Sequence, residues 1–345
     1  MAAEARKREY WVDNVKVIAC IFVVLGHFFQ SLAGADIIAD GKLFLWFNDT
    51  VYLFHIQLFF ICSGYLYQKY SRVRRFSEWK RSAAKKLLNL GIPYIFFILV
   101  SWVLKSLFSS SVNSQAGSLT EALLIKPMSP YWFLLCLIMI FLITPTLKYK
   151  YEALILLAAS FGARAFYMLH GSIGIKCIDS LFEQYFWFAC GMALALINTE
   201  KAQKKPAATA AGALAVICFI AVSVAIFSYQ INNKFILLLL SAVMCFGTIL
   251  LSITLSSDDK QNRIMKFLSG YILPIFLMHT LFAAPLRALL LRFSITNPAV
   301  HIILGIIISF AGPVIAEYIL NKTVILDFFV YPQKTIKRIK EGRLK

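Results

Sequence analysis

Charge is scarce in this sequence, and acidic charge most of all. Only 15% of the 345 residues are charged, and 17 Asp and Glu stand beside 35 Lys and Arg. Hydrophobic residues make up 60% of the chain, in many runs close to the roughly 20 residues that cross a bilayer as a helix. Runs of this length with so few charges exclude an ordinary soluble domain. They predict a protein that crosses the membrane many times.

The seven cysteines form no pattern of disulfides or metal ligands. All but Cys177 fall within apolar runs, so Cys177, in a predicted outer loop, has no obvious partner. Metal sites built from cysteine and histidine need short, regular spacings, which are lacking here. The sequence therefore predicts neither a disulfide framework nor a bound metal.

The basic residues lie in blocks between the apolar runs. They do not alternate with aromatic residues as they would in a nucleic-acid groove, so we expect no nucleic-acid partner and expect the blocks to report topology. Basic residues concentrate on the cytosolic side of membrane proteins. Both chain ends are therefore predicted to be cytosolic, because only four basic residues then fall in outer segments: Lys42, Lys126, Lys176 and Lys234.

We predict an all-α bundle of about ten transmembrane helices. It forms a single integral membrane domain over residues 1–345, with short basic cytosolic tails at 1–14 and 321–345. The predicted spans are 15–34, 50–68, 87–108, 130–147, 151–169, 182–198, 207–229, 235–255, 266–293 and 299–320.

Two features interrupt this regular succession of apolar spans and short connections. The segments 34–49 and 109–129 are the longest predicted outer loops, and their Gly, Ser and Asn content is typical of flexible chain. Pro274 and Pro285 fall within the ninth span, which also contains Gly270, and proline removes a helical hydrogen bond. We therefore expect a kinked or broken helix there.

The first span carries two groups that are costly in hydrocarbon. Lys16 and His27 are eleven residues apart, which places them on one helix face and roughly 16 Å apart along its axis. Ionisable groups at membrane depth usually face a cavity or the bundle interior. A neutral histidine there can accept a proton from a hydroxyl. His27 is thus the main candidate for a functional residue, with an interhelical hydrogen bond as the structural alternative.

Other polar groups stand out less sharply. Residues 69–86 hold eight basic residues against one acid, which favours either anchorage to anionic headgroups or a phosphate-binding rim at a cavity mouth. Ser63 and Gly64 are typical of tight helix packing. Candidate polar or aromatic groups toward the outer side or within the spans are His55, Trp132, Arg164 and His279.

Several stretches occur together in an order that resembles the membrane-bound acyltransferase 3 family, especially its bacterial O-acetyltransferases. The most specific is a basic residue followed, after ten residues, by histidine, here Lys16 and His27. The stretches are WVDNVKVIACIFVVLGH (11–27), FHIQLFFICSGYLY (54–67), Lys85-Lys86-Leu87-Leu88 with Ile92-Pro93-Tyr94, YWFLLCLIMIFL (131–142) and ILPIFLMH (272–279).

The resemblance implies an acyl-CoA-dependent O-acyltransferase in the bacterial cytoplasmic (inner) membrane. Such an enzyme moves an acyl group, usually acetyl from acetyl-CoA, to a hydroxyl of an exported or cell-surface acceptor, often a carbohydrate. His27 would be the catalytic residue, with Lys16 engaging the acyl donor. Direct transfer with His27 as general base and a covalent acyl-histidine both remain open.

The remaining roles are expectations of the same kind. The acceptor is expected near His55, Trp132, Arg164 and His279. A transporter or flippase that uses Lys16, His27, Arg164 and His279 as a substrate or proton pathway is the rival interpretation. The coenzyme phosphates are expected at Lys16, Lys85 and Lys86, with four arginines as alternatives: Arg72, Arg74, Arg75 and Arg81.

Overall fold

A computed structural model describes residues 8–71, 73–109, 113, 115–203, 205–256 and 261–342, without the side chains of Glu200 and Lys201. All regular elements in these ranges are helical, which confirms the predicted all-α fold. The α-helices are α1 (Tyr10–Ala33), α2 (Lys42–Tyr52), α3 (His55–Tyr70), α4 (Phe76–Lys86), α5 (Ile92–Leu107), α6 (Trp132–Ile143), α7 (Lys150–His170), α8 (Lys176–Leu194), α9 (Pro206–Ser228), α10 (Lys234–Leu255), α11 (Arg263–Arg292), α12 (Pro298–Leu320), α13 (Val324–Val330) and α14 (Pro332–Lys340).

Eight helical stretches of the described chain are long and apolar enough to cross a membrane, so this is a polytopic membrane protein. Two of them combine neighbouring helices, α2 with α3 and α4 with α5. Every predicted span overlaps a helix, but α6 has only 12 residues and α8 carries Lys176, Asp179 and Glu183. These two are therefore not among the eight.

Two local predictions need correction. The segment 34–49 is not a loop throughout, because α2 begins at Lys42. The ninth span, predicted to be kinked or broken, is not broken, because α11 runs for 30 residues through Pro274 and Pro285, and the kink stays a prediction. Irregular turns occur instead at Leu87–Gly91, which joins α4 to α5, and at Glu121–Ile125, both π-helical.

The first helix is an inner element of the bundle. It packs against α3, α10 and α11, and its side chains at Val15, Val23 and Val24 have no exposed surface. Because these helices surround α1, the polar side chains of α1 contact neighbouring helices. We call the end at which α1 and α11 begin the basic end, because residues 69–86 also lie there.

The start of α1 is tied to the end of α3 through Glu9. Its carboxylate forms an ion pair with Lys69 and accepts hydrogen bonds from the Tyr70 hydroxyl at 2.9 Å and from Trp11 Nε1 at 3.0 Å. Burial by itself raises the pKa of Glu9, but these donors outweigh it and hold that pKa below its usual value. The carboxylate therefore stays charged and fixes this edge of the basic end.

Candidate functional site

Both ring nitrogens of His27 face hydroxyl groups from other parts of the chain. The Tyr52 hydroxyl lies 3.3 Å from Nδ1, and Ser129 Oγ lies 3.4 Å from Nε2. The ring of His279, from α11, stacks on that of His27 with centroids 5.5 Å apart. Thus α1, α2, α11 and the turn before α6 meet at one imidazole.

A chain of hydrogen bonds is the basis on which the proton of His27 is assigned to one of its two nitrogens. The Tyr52 hydroxyl donates its one proton to Gln30 Oε1 at 2.9 Å, and Gln30 Nε2 donates to Asn48 Oδ1 at 2.8 Å. The Tyr52 oxygen can then only accept from His27, so we assign the proton to Nδ1. This leaves the lone pair of Nε2 directed at Ser129.

Two further histidines complete the polar group around His27. Nδ1 of His279 lies 2.9 Å from the Ile275 carbonyl, and its Nε2 is buried without a hydrogen-bond partner in the described part of the chain. His55 lies edge-on to the Tyr52 ring, with centroids 4.7 Å apart, and its Nδ1 is 2.6 Å from the Val51 carbonyl. Among the described residues, no carboxylate contacts His27. The site is therefore a neutral polar cluster inside an apolar bundle.

A cavity of about 710 Å³ occupies the basic half of the bundle. It extends from Arg8, Tyr70 and Lys86 at the basic end to a wall of three phenylalanine rings. Its lining combines apolar side chains with charged and polar ones: Arg8, Glu9, Asp13, Lys16, Ser63, Lys86 and Asn89. A space of this size and mixed lining suits a long ligand with a charged end.

Lys16 supplies a positive charge to the wall of this cavity. Its half-buried ammonium has no hydrogen bond or ion pair with any described residue. Asp13, which shares its helix face, pairs with Arg8 at 2.6 Å instead. Lys86 Nζ lies 3.6 Å from the centre of the Phe141 ring. The charge of Lys16 is therefore directed to whatever fills the cavity.

Most of the arginines considered for phosphate lie elsewhere. Arg74, Arg75, Arg81 and Lys85 are exposed on or before α4 and do not line the cavity, and Arg72 lies outside the described residues. Their role in holding a ligand stays a prediction. Lys16 and Lys86 are the two candidates that the fold brings to the cavity.

The four residues expected near an acceptor divide into two groups. His55 and His279 join the cluster at His27, as described above. Trp132 follows Ser129 by three residues, and its ring lies 5.9 Å from Lys176 Nζ. Arg164 donates to the Glu183 carbonyl on α8 and lies 5.5 Å from the Trp187 ring. This hydrogen bond and this ring contact are both with α8, and neither joins Arg164 to the His27 cluster.

Sequence reasoning missed the partners that matter most to His27. Tyr52, Gln30 and Ser129 are separated from one another along the chain and follow no spacing. Tyr52 and Ser129 precede the apolar cores of their spans, where tyrosine and serine are ordinary interfacial residues. No signal in the sequence distinguishes them.

The chain is similar to known acyltransferases over nearly all of its length. The family model described as an acyltransferase domain matches residues 9–318. Nodulation protein NolL of Mesorhizobium japonicum is 28% identical over 138 residues, which are 38% of this chain and 34% of that protein. NolL of Sinorhizobium fredii is 29% identical over 144 residues, or 41% of this chain and 37% of the relative.

These relatives share only a part of their length with the chain. The matches span about a third of each NolL protein. No solved structure matches the chain.

Proposed function

Because the chain belongs to the acyltransferase 3 family, whose model it matches over residues 9–318, we propose that it is an acetyl-CoA-dependent O-acetyltransferase of the bacterial inner membrane. Its acceptor is a hydroxyl of an exported or cell-surface carbohydrate, and its basic end faces the cytosol. One observation carries the proposal: a cavity lined by Lys16, whose ammonium has no partner among the described residues, extends from the basic end to three phenylalanines on helices that carry or directly follow the residues around His27.

Each part of the donor has a matching region. The anionic nucleotide of acetyl-CoA remains at the basic end, near Arg8 and Lys86. The narrow pantetheine arm extends along the cavity past Lys16, which pairs with a phosphate or polarises an amide of the arm. The acetyl group then lies at the end of the cavity nearest to His27. Charges thus stay at the membrane surface while the thioester enters an apolar region.

In the proposed reaction, the acceptor hydroxyl takes the place of Ser129 Oγ beside Nε2 of His27. It gives its proton to Nε2 as its oxygen bonds to the acetyl carbon, and the carbon–sulfur bond then breaks. The coenzyme thiolate takes the proton from the imidazolium. The products are the acetyl ester and CoA thiol, and His27 returns to its neutral form. General-base assistance of this kind contributes about 10²–10⁴-fold.

A transport function would use the same buried groups without making or breaking bonds. Purified protein in liposomes, given radiolabelled acetyl-CoA and surface glycan, separates the two. We expect release of CoA thiol and label in the glycan, and mass spectrometry should find O-acetyl groups on surface glycans only in cells that carry the gene. Binding or movement of substrate with no thiol release would overturn the proposal.

Lys16→Ala is expected to raise the KM for acetyl-CoA by about 10-fold, with a smaller effect on kcat. The reason is that a hydrogen bond to a charged group contributes about 1.5–3 kcal/mol to binding, and 1.4 kcal/mol equals a factor of ten. Initial rates over a range of acetyl-CoA concentrations give both constants. Lys150→Ala is the control, because Lys150 is exposed at the start of α7 and does not line the cavity. Equal KM values for the two variants would show that Lys16 does not engage the donor.

Tyr52→Phe tests the hydrogen-bond chain that orients His27. Loss of the hydroxyl leaves Nδ1–H without its acceptor, so we expect kcat to fall about 10-fold, the effect of one hydrogen bond, while the KM for acetyl-CoA stays unchanged. Tyr229→Phe, on a tyrosine that is 80% exposed, should match the wild type. A change in the KM for acetyl-CoA, with kcat unchanged, would argue against this positioning role.

A further inference from the structure

Three phenylalanine rings line the cavity on helices that carry or directly follow residues of the His27 cluster. Phe59 comes from α3, Phe133 from α6 and Phe276 from α11, and all three line the cavity. Their centroids are 5.6 Å apart between Phe59 and Phe133, 5.5 Å between Phe133 and Phe276 and 6.2 Å between Phe59 and Phe276. At these separations the rings are in contact. We call this set the phenylalanine triad.

On α3 and α11 the triad lies about one helical turn from the polar cluster, on the side of the basic end, and Phe133 is the second residue of α6. Phe59 follows His55 by four residues, and Phe133 follows Ser129 by four. Phe276 precedes His279 by three, and its carbonyl lies 3.0 Å from His279 Nδ1. One turn of helix is about 5.4 Å long. The triad therefore separates the cavity, with its charged walls, from the imidazole at which transfer takes place.

We propose that the phenylalanine triad selects the acyl group by cross-section and charge. This inference rests on the proposed function, in which the acyl end of the donor has to reach His27 from the cavity. The leading acyl group must push three touching rings apart, and a branched group must push them further than an acetyl group. A carboxylate, as in a succinyl group, would lose its water among aromatic faces with no partner.

The cavity and the tight packing of the three rings explain why the triad, and not the cavity, would select the acyl group. The cavity below the triad has a volume of about 710 Å³ and charged residues in its lining, so we expect it to discriminate little between acyl groups. All three phenylalanines are nearly fully buried, with Phe59 and Phe133 6% exposed and Phe276 3% exposed. Closely packed side chains are displaced only slightly, so a small increase in the size of the passing acyl group should strongly reduce its passage.

The test compares acetyl-, isobutyryl- and succinyl-CoA as labelled donors, with surface glycan as acceptor and label in the glycan as the readout. The wild type should use acetyl-CoA at a much higher kcat/KM than the other two. In Phe133→Ala, the ratio of isobutyryl to acetyl transfer should rise about 10-fold or more, the scale on which pockets discriminate one or two carbon atoms. The succinyl ratio should rise in the same direction. Phe166→Ala, on the exposed surface of α7, should leave both ratios unchanged.

Phe133→Leu and Phe276→Leu keep the core filled and carry the test if the alanine variant does not fold. Both should shift the ratios in the same direction, by less. Acetyl transfer by the wild type with ratios unchanged in every folded triad variant would overturn the selective role. Absence of any transfer or thiol release by the wild type would instead overturn the proposed function, so the two failures are distinct.

Discussion

Replacing His27 with alanine should lower the rate of acetyl transfer by about 10²–10⁴-fold and leave the protein folded in the membrane. The expected loss is large because His27 is the imidazole that faces Ser129, whereas the described hydrogen bonds of His279 and His55 run from Nδ1 to backbone carbonyls of their own helices or of α2. The folded state should survive because His27 is only half-buried and its hydrogen bonds are long. The measurements are labelled acetyl transfer and the thermal unfolding of the purified variant.

His170→Ala is the matched control for this variant. His170 ends α7, is exposed and stacks on Phe166, far in the fold from the described partners of His27. Its loss should change neither transfer nor stability by a measurable amount. If His27→Ala transferred acetyl groups at the rate of His170→Ala, the role of His27 as general base would have to be abandoned.

Gly64→Ala should destabilise the fold more than an ordinary packing change. A Cβ at Gly64 would lie 2.0 Å from the Phe188 carbonyl oxygen, and one at Gly191 would lie 1.9 Å from the Ile61 oxygen. Backbone atoms cannot move aside without separating α3 from α8. Overpacking costs about 1–3 kcal/mol when side chains can adjust, so we expect at least that much and a fall in the unfolding midpoint of about 2 °C or more.

A glycine in open surroundings provides the comparison. Gly162 lies inside α7, and a Cβ there would meet nothing within 4 Å. Gly162→Ala should therefore leave stability unchanged or raise it by up to about 1 kcal/mol, since alanine favours helix over glycine. Thermal unfolding in detergent measures both variants. Equal midpoints for Gly64→Ala and the wild type would mean that α3 and α8 are not held at this separation.

The sequence predicted that Lys16 and His27 share one face of the first helix, but in the structure the two residues have different surroundings. Lys16 does line the cavity, whereas His27 lies beyond the phenylalanine triad. The triad could not be foreseen, because its rings come from three helices that are far apart in the chain and each ring is ordinary in an apolar run.

Tight packing at Gly64 was predicted from its neighbour Ser63, and the close approach of α8 confirms it. At the prolines of α11 a kink or a break was expected; the break does not occur, since the helix continues through both, and the kink stays a prediction. A proline removes one backbone donor, but neighbouring turns and packed helices retain the helical path. The rule for small residues therefore predicted a real helix contact. The rule for proline did not predict the continuity of α11, because packing around that helix retains its path.

What the sequence determined by itself is the class of protein: a membrane-spanning, all-α chain of the acyltransferase 3 family, with a charged stripe on α1. Hydrophobic length and helical periodicity are properties of one segment, so they can be read along the chain. Only the tertiary structure decided that His55, His279 and Tyr52 meet at His27 while Arg164 does not. Such meetings depend on how each helix is rotated and packed against its neighbours, and many rotations place the same residues at the same depth.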